Sequence, residues 1–208
     1  MEQGSPEWLA ARCGSLGASS IEALMSKNKT GESAGRKNLR TRLVVERMTG
    51  KPVTTFKSAA MEQGNELEDD ARRLYAFEQG VSVDQVGIVR HPGIEGAHAS
   101  PDGLVGADGG MEIKCPEPSQ HKDTLLGGKV KRGYVLQIFW GMACTGRKWW
   151  DFVSYNPDFP PEMQLHVERF HRDPQQIVEI ETEARLLMNE TMREIAMLRE
   201  KFKIEVAA

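Results

Sequence analysis

Two carboxylates and a lysine occupy the middle of this 208-residue chain. Asp102 is followed ten residues later by Glu112-Ile113-Lys114, with a glycine-rich turn at residues 106–110 between them. Because successive side chains of a strand point to opposite faces, Glu112 and Lys114 should share one face while Ile113 faces the core. Carboxylates are hard oxygen ligands, which suit Mg²⁺ or Mn²⁺ rather than zinc. The lysine would hold an attacking water or stabilise charge on a phosphate.

The composition predicts an ordinary globular protein. A chain of 208 residues with 39% hydrophobic and 27% charged residues can bury one core but not comfortably two, so we predict a single domain over 1–208. No apolar run is long enough to span a membrane, and no leader is visible, so we expect a cytosolic protein. The odd, scattered cysteines argue against a disulfide framework and an iron–sulfur cluster.

The basic residues are concentrated in two segments, although the net charge is −3. Residues 27–57 contain nine Lys or Arg against two acids, and residues 122–148 contain six against one. A basic surface around an acidic metal pocket would attract DNA phosphates. Without the carboxylate motif, a solvated surface of mixed charge is the better interpretation.

The N-terminal segment contains a second candidate site. Trp8 and its neighbours predict a short helix ending near Gly14, and Ser19-x-x-Glu22 predicts a capping box that opens a second helix. On this view Ser19 is an N-cap and Arg12 forms a surface salt bridge. A helix N-terminus with a serine and an arginine nearby is equally suited to bind a phosphate.

Two helices are predicted further on. Residues 26–35 are rich in helix breakers and predict a loop. Residues 36–48 predict an amphipathic helix whose basic face either contacts a DNA backbone or is merely solvated. Residues 58–79 predict a stronger helix, in which Glu68 lies at the edge of the apolar stripe and would ordinarily form a salt bridge there.

The remaining chain predicts strands, a loop and two more helices. Gln137, inside an apolar helix, needs a partner because an unpaired buried amide costs about 1–3 kcal/mol. The last helix has a long apolar stripe that a neighbouring subunit could partly cover. The five histidines lack zinc-site spacing and are interpreted as structural or surface residues. We predict strands over 81–91, 149–155 and 164–170, a loop or lid contacting nucleic acid over 116–133, a buried helix over 134–143, and a final helix capped by Asp173.

Pro101-Asp102 followed by Glu112-x-Lys114 resembles the signature of the PD-(D/E)xK nuclease superfamily. With its flanking residues, the motif is similar to the branch that contains phage lambda exonuclease and the YqaJ-type viral recombinases, or alkaline exonucleases. Three further motifs occur in the order of that family: W-x3-R-x-G-x4-S from Trp8, G-x3-E-x2-A-R at residues 64–72, and Y-x-x-Q at residues 134–137. The resemblance covers residues 6–155.

The resemblance implies a role for each matching residue. Glu66 competes with Glu68 if the register differs, and Met61 is alternatively a core residue. An acid found in lambda-type enzymes is replaced by Pro92, and Glu95 is a possible substitute. The implied roles are metal binding by Asp102, Glu112 and the Ile113 carbonyl, positioning of water by Lys114 and Glu68, orientation of water or phosphate by Gln137, binding of a 5′-phosphate by Arg12, Ser19 and Ser100, and separation of the end base pairs by Met61.

The resemblance also implies an α/β restriction-endonuclease-like fold, with a central mixed β-sheet flanked by helices. It implies a Mg²⁺-dependent, processive 5′-to-3′ exonuclease acting on double-stranded DNA as a ring-shaped homotrimer. Such an enzyme leaves 3′ single strands for a single-strand annealing protein, in a bacterial cytosol and encoded by a phage or prophage. The alternatives are a structure- or sequence-specific endonuclease of the same fold and a non-enzymatic DNA-binding module.

Overall fold

The computed structural model describes residues 1, 3–29, 31–53 and 59–204, without the side chains of residues 59–66. No helix in this part of the chain is long and apolar enough to cross a membrane. The helices are α1 (Pro6–Arg12), α2 (Ile21–Leu24), α3 (Ala34–Thr49), α4 (Ala59–Gln79), α5 (Pro118–Leu125), α6 (Arg132–Thr145) and α7 (Pro174–Phe202). The strands are β1 (Lys27–Asn28), β2 (Gly31–Glu32), β3 (Val83–Asp84), β4 (Val89–Arg90), β5 (His98–Ala99), β6 (Gly103–Val105), β7 (Gly109–Lys114), β8 (Trp149–Tyr155) and β9 (Leu165–His171).

A five-stranded mixed sheet forms the centre of the fold, in the order β3-β6-β7-β8-β9. β7 and β8 are parallel, and the other neighbouring pairs are antiparallel. Parallel neighbours need a long crossover, which α5 and α6 provide here. The predicted α/β fold class, with a mixed sheet flanked by helices, is confirmed. The extent of the single domain, residues 1–208, stays a prediction.

Helices pack against both faces of this sheet. On one face, α2, α3, α6 and α7 bury a large apolar cluster that includes Trp140 and Trp150. On the other face, Ala71 and Tyr75 of α4 pack with Ile113 in a smaller cluster. Full burial of one large apolar side chain contributes about 1.5–3 kcal/mol, so these contacts hold β7 firmly between two layers.

Two segments predicted as loops contain regular structure, so both predictions are wrong in part. Within residues 26–35, β1 and β2 form a short hairpin. Within residues 116–133, α5 begins with Pro118 in its first turn, a position that proline favours. The buried His121 of α5 hydrogen-bonds Ser154 and the carbonyl of Met163, each at 2.8 Å. These tertiary contacts outweigh the breaker-rich composition of the segment.

The basic helix α3 is partly neutralised inside the protein. Arg36 forms an ion pair with Glu190 at 2.7 Å, and Arg40 forms one with Glu194 at 2.7 Å. Both arginines also pair with Glu32. They therefore hold α3 against α7 instead of forming a basic face for DNA.

The last helix begins as predicted and buries its apolar stripe within the chain. Asp173 accepts hydrogen bonds from the amides of Gln175 and Gln176, as an N-cap does. Ile177, Ile180 and most of the predicted stripe are buried against the same chain. The stripe from Ile177 to Ile195 therefore needs no neighbouring subunit to cover it, and only Leu198 at its end is half-buried.

Candidate active site

The hairpin of β6 and β7 brings the predicted carboxylates together. Gly103 pairs with Met111 across the hairpin, so Asp102 stands beside Glu112 in the continued register. The backbone amide of Ile113 donates a 2.7 Å hydrogen bond to Oδ2 of Asp102. Glu112 is buried with only 8% of its surface exposed. The carboxylate motif is thus one compact site.

Lys114 lies on the same face as Glu112, as the strand pattern predicts. Its Nζ is 2.6 Å from Oε1 of Glu112 and 5.3 Å from the ring centre of Tyr134. Burial would lower the pKa of Lys114, but the negative charges of Glu112 and Asp102 outweigh burial and raise it. The ammonium therefore stays charged.

Glu68 reaches the same centre from α4. Its pKa is raised above the ordinary value chiefly by burial and also by Glu112, against the opposing effects of Lys114 and Arg72. Arg72, one turn further along α4, donates a 2.7 Å hydrogen bond from Nε to the backbone carbonyl of Asp102. This bond connects the helix that contains Glu68 to the loop that contains Asp102.

The charges at this centre fit a divalent cation. Burial and the charge of Glu112 raise the pKa of Asp102 well above its ordinary value, although Lys114 opposes them. Three carboxylates, including Glu68, face the Lys114 ammonium and the Arg72 guanidinium, which still leaves buried negative charge that a dication would neutralise. Among the described residues no three His, Cys, Asp or Glu side chains form a metal cluster on their own. Two carboxylates and the Ile113 carbonyl would suit Mg²⁺, which usually keeps several waters.

Gln137 lies on α6, one turn after Tyr134, and is half-buried. Its side chain makes no hydrogen bond to another residue in the described part of the chain. An amide in this state has unused donors and an acceptor for water or phosphate. The role implied for Gln137 stays a prediction.

The N-terminal candidates are partly brought together. The guanidinium of Arg12 lies 4.0 Å from the ring centre of Trp8. Nε1 of Trp8 donates to Oγ of Ser100 at 3.2 Å and to the carbonyl of Gly87 at 3.0 Å. Arg12 and Ser100 are therefore connected through one indole, across more than eighty residues of sequence.

Ser19 is exposed in a short 3₁₀ turn, Ala18–Ser20, that precedes α2. Its predicted capping box with Glu22 is wrong, because neither the turn nor α2 has a side-chain cap. The 3₁₀ turn places Ser20, not Ser19, directly before the helix. No hydrogen bond joins Ser19 to Arg12 or Ser100 within the described residues.

Two further residues near Arg12, namely Arg42 and His98, are not predicted by any motif in the sequence. Arg42 of α3 donates a 3.1 Å hydrogen bond to Oγ of Ser20. Burial lowers the pKa of Arg12, and the positive charge of Arg42 lowers it further. His98 is buried beside them and bonds Ser15 at 2.7 Å. The second positive charge strengthens any anion site at Arg12.

Neither Pro92 nor Glu95 belongs to the candidate active site. The side chains of Met61 and Glu66 lie outside the described residues. Pro92 is exposed. Glu95 lies beside Arg47, in a cleft that contains none of the three carboxylates. Glu95 therefore does not take the place of the missing acid.

The chain is similar to known viral recombinases and exonucleases. A profile of the YqaJ-like viral recombinase domain matches residues 7–148. The structure of an alkaline exonuclease, LHK-Exo, from Laribacter hongkongensis is similar, with a TM-score of 0.90 and 43% sequence identity over 96% of this chain and 98% of that chain. LHK-Exo in complex with dAMP gives a TM-score of 0.89 at the same identity.

Two more distant similarities agree with these matches. A phage related exonuclease from Haemophilus somnus 129PT has a TM-score of 0.66 at 16% identity, over 88% of this chain and 96% of that chain, which supports the fold alone. An uncharacterized protein, R354, of Acanthamoeba polyphaga mimivirus is 26% identical over 170 residues. This match covers 76% of the present chain but only 30% of the mimivirus protein. The predicted restriction-endonuclease-like fold is confirmed.

Proposed function

This chain belongs to the YqaJ-like viral recombinase family, and on that premise we propose that it degrades one strand of linear double-stranded DNA from 5′-phosphorylated ends. The degradation is 5′-to-3′, processive and Mg²⁺-dependent, and leaves 3′ single strands for phage-type recombination. The observation that carries this function is the buried hairpin on which Asp102, Glu112 and Lys114 converge.

At the coarser level the chain is a deoxyribonuclease of this family. It shares 43% identity with an alkaline exonuclease across almost the full length of both chains. The residues needed for phosphodiester hydrolysis are also close together: two carboxylates on one hairpin, a paired lysine, and Glu68 on the adjoining helix. This arrangement supports hydrolysis better than a purely DNA-binding role.

Each side chain of the centre has a chemical task. Asp102, Glu112 and the Ile113 carbonyl would hold Mg²⁺ or Mn²⁺. The bound ion would act as a Lewis acid towards the phosphate oxygens. Nζ of Lys114 would donate to the attacking water or to a phosphate oxygen. Glu68 has a raised pKa because of burial, so its carboxylate is suited to accept a proton from that water.

The end preference rests on Arg12. The guanidinium of an arginine makes strong hydrogen bonds of defined geometry to a phosphate. These bonds are stronger to a terminal phosphate than to an internal phosphodiester, because the terminal group carries more negative charge. Stacking on Trp8 fixes the guanidinium, and the same indole positions Ser100. Ser19 would join this pocket from the exposed 3₁₀ turn. An enzyme that reads a chain end needs such a pocket, whereas an endonuclease of the same fold does not.

The assembly and partners belong to the same proposal. A ring-shaped homotrimer would enclose the duplex and make degradation processive, and the 3′ strand would pass to a single-strand annealing protein. We place the chain in a bacterial cytosol as a phage or prophage product. Multi-angle light scattering should give three times the 23.2 kDa chain mass. A monomer at the concentration of the assay would contradict the ring.

Digestion of matched DNA substrates tests the function. A linear duplex with 5′-phosphate ends, the same duplex with 5′-hydroxyl ends and a covalently closed circle are each incubated with Mg²⁺ and with a chelator. We expect metal-dependent loss of the phosphorylated linear duplex, slow loss of the hydroxyl form and an intact circle. A cut circle supports the endonuclease, and absence of cleavage under all conditions contradicts both nucleases.

A further inference from the structure

A cleft of about 390 Å³ opens on the side of the molecule where α1, α3 and α7 meet. Its volume lies within the range of roughly 300–1,000 Å³ that is typical of small-molecule sites. Charged side chains enter it from three different elements: Arg47 from α3, Arg90 from β4 and Arg199 from α7. None of the carboxylates of the candidate active site lines it, and neither does Arg12.

Two glycines leave space for the side chain of Arg47. Its Nε donates a 2.7 Å hydrogen bond to the carbonyl of Gly14. Gly14 and Gly96 both have positive φ, 67° and 71°. A Cβ on Gly14 would lie 2.7 Å from Cγ of Arg47, and a Cβ on Gly96 would lie 2.1 Å from its guanidinium. The arginine is therefore held between two glycines at the wall of the cleft.

The positive charge of the cleft is not balanced by ion pairs. Within the described part of the chain, Arg47, Arg90 and Arg199 have no carboxylate within the 4.0 Å of a salt bridge. Glu95 is the nearby acid, and its charge only partly opposes the effect of burial, which lowers the pKa of Arg47. Arg47 and Arg199 are half-buried and Arg90 is exposed, and together with Glu95 they leave the cleft with a net positive charge that favours an anion.

We propose that this cleft binds a phosphate group, from either a free nucleotide or the backbone of a DNA strand. Three arginines line the cleft, and guanidinium groups bind phosphate oxygens through charge-assisted hydrogen bonds. Met192 and Ile195 add an apolar wall against which a sugar or base can pack. The site is distinct from the proposed 5′-phosphate pocket and does not depend on the proposed nuclease function.

Binding measurements in a chelator test the site without cleavage. The probes are inorganic phosphate, dAMP and a single-stranded oligonucleotide with a 5′-hydroxyl, whose only phosphates are diesters. Arg90→Gln and Arg199→Gln each remove one charge from the cleft without altering Arg47, which also supports the fold. Arg193→Gln, an exposed arginine on the same helix as Arg199, is the control. All proteins also contain Arg12→Gln, so that the proposed 5′-phosphate pocket does not contribute.

We expect each cleft variant to weaken binding of at least one probe about tenfold, while Arg193→Gln leaves it unchanged. An effect on phosphate and dAMP identifies a free nucleotide as the ligand, and an effect on the oligonucleotide alone identifies the DNA backbone. Equal affinities in the cleft variants and the control overturn the proposal. Thermal unfolding of each variant establishes that it is folded, and the digestion of linear duplex by the unsubstituted protein reports separately on the nuclease.

Discussion

The carboxylate of Asp102 accepts a 2.7 Å hydrogen bond from the backbone amide of Ile113 across the hairpin. The same side chain thus joins two strands and contributes charge to the proposed metal site. Burial and Glu112 raise the pKa of Asp102, so its charge is unfavourable without a cation. The hydrogen bond and the charge can be separated by substitution.

Asp102→Asn should abolish cleavage while preserving the fold, because the amide oxygen still accepts from Ile113 but the charge is lost. Asp102→Ala should also abolish cleavage and, in addition, destabilise the protein by about 1–3 kcal/mol, since the Ile113 amide loses its partner. Nuclease assays and chemical unfolding measure the two effects. In the metal-free state Asp102→Asn should be at least as stable as the unsubstituted protein.

The effect of Mg²⁺ on thermal stability tests whether Asp102 binds the metal. A ligand that binds only the folded state stabilises it, so Mg²⁺ should raise the melting temperature of the unsubstituted protein and have little effect on Asp102→Asn. An equal rise in both proteins would remove Asp102 from the metal site.

Much of the fold could be predicted because its signals are local. The alternation around Glu112, the apolar run over β8 and the Asp173 cap each lie within a few residues. The helix α5 could not be predicted, because it depends on bonds from His121 to residues more than thirty positions away. The ion pair between Arg36 and Glu190 could not be predicted either, because the two residues are far apart in the sequence.

The candidate site was predictable to a similar degree. The carboxylates and Lys114 lie on one hairpin, so spacing alone brings them together. Arg42 joins Arg12 only through tertiary packing and leaves no pattern in the sequence. The cleft around Arg47 likewise depends on two glycines eighty-two residues apart, whose positive φ values are set by the folded backbone.

Lys114→Met should lower the cleavage rate at least about a hundredfold, the usual effect of removing one group that stabilises charge in the transition state. Methionine keeps the length of the side chain but leaves Glu112 without its 2.6 Å partner. Affinity for duplex DNA in a chelator should persist. Initial rates and fluorescence anisotropy measure the two properties.

Lys148→Met is the matched control for Lys114, because Lys148 is exposed and pairs with Asp108 at the surface. It should retain full cleavage. If Lys114→Met also cleaves normally, the assignment of the hairpin as the active centre is wrong.

The buried His98 should make folding sensitive to acid. Burial, together with the charges of Arg12, Arg90 and Arg42, lowers its pKa to about 4 from the ordinary 6.5. The unfolded chain therefore binds a proton between these values and the folded protein does not. Above pH 6.5 the titration of His98 does not lower the free energy of unfolding. As the pH decreases to about 4, it lowers that free energy by about 3 kcal/mol.

His98→Asn tests this effect, since asparagine can still bond Ser15 but does not titrate. Unfolding free energies measured across this pH range should decline less steeply in the variant than in the unsubstituted protein. Carboxylates titrate in both proteins, so only the difference between the two slopes reports on His98. Parallel slopes would show that His98 has an ordinary pKa.

Arg12→Gln should slow digestion of a 5′-phosphorylated duplex by about 10- to 100-fold, because a charged hydrogen bond contributes about 1.5–3 kcal/mol. Digestion from a 5′-hydroxyl end should hardly change. Arg42→Gln should have the same selectivity but a smaller effect, since Arg42 acts on Arg12 through its charge. The ratio of the two rates is the measurement, with Arg193→Gln as the control. Equal slowing of both substrates would mean that Arg12 supports the structure and does not bind the terminal phosphate.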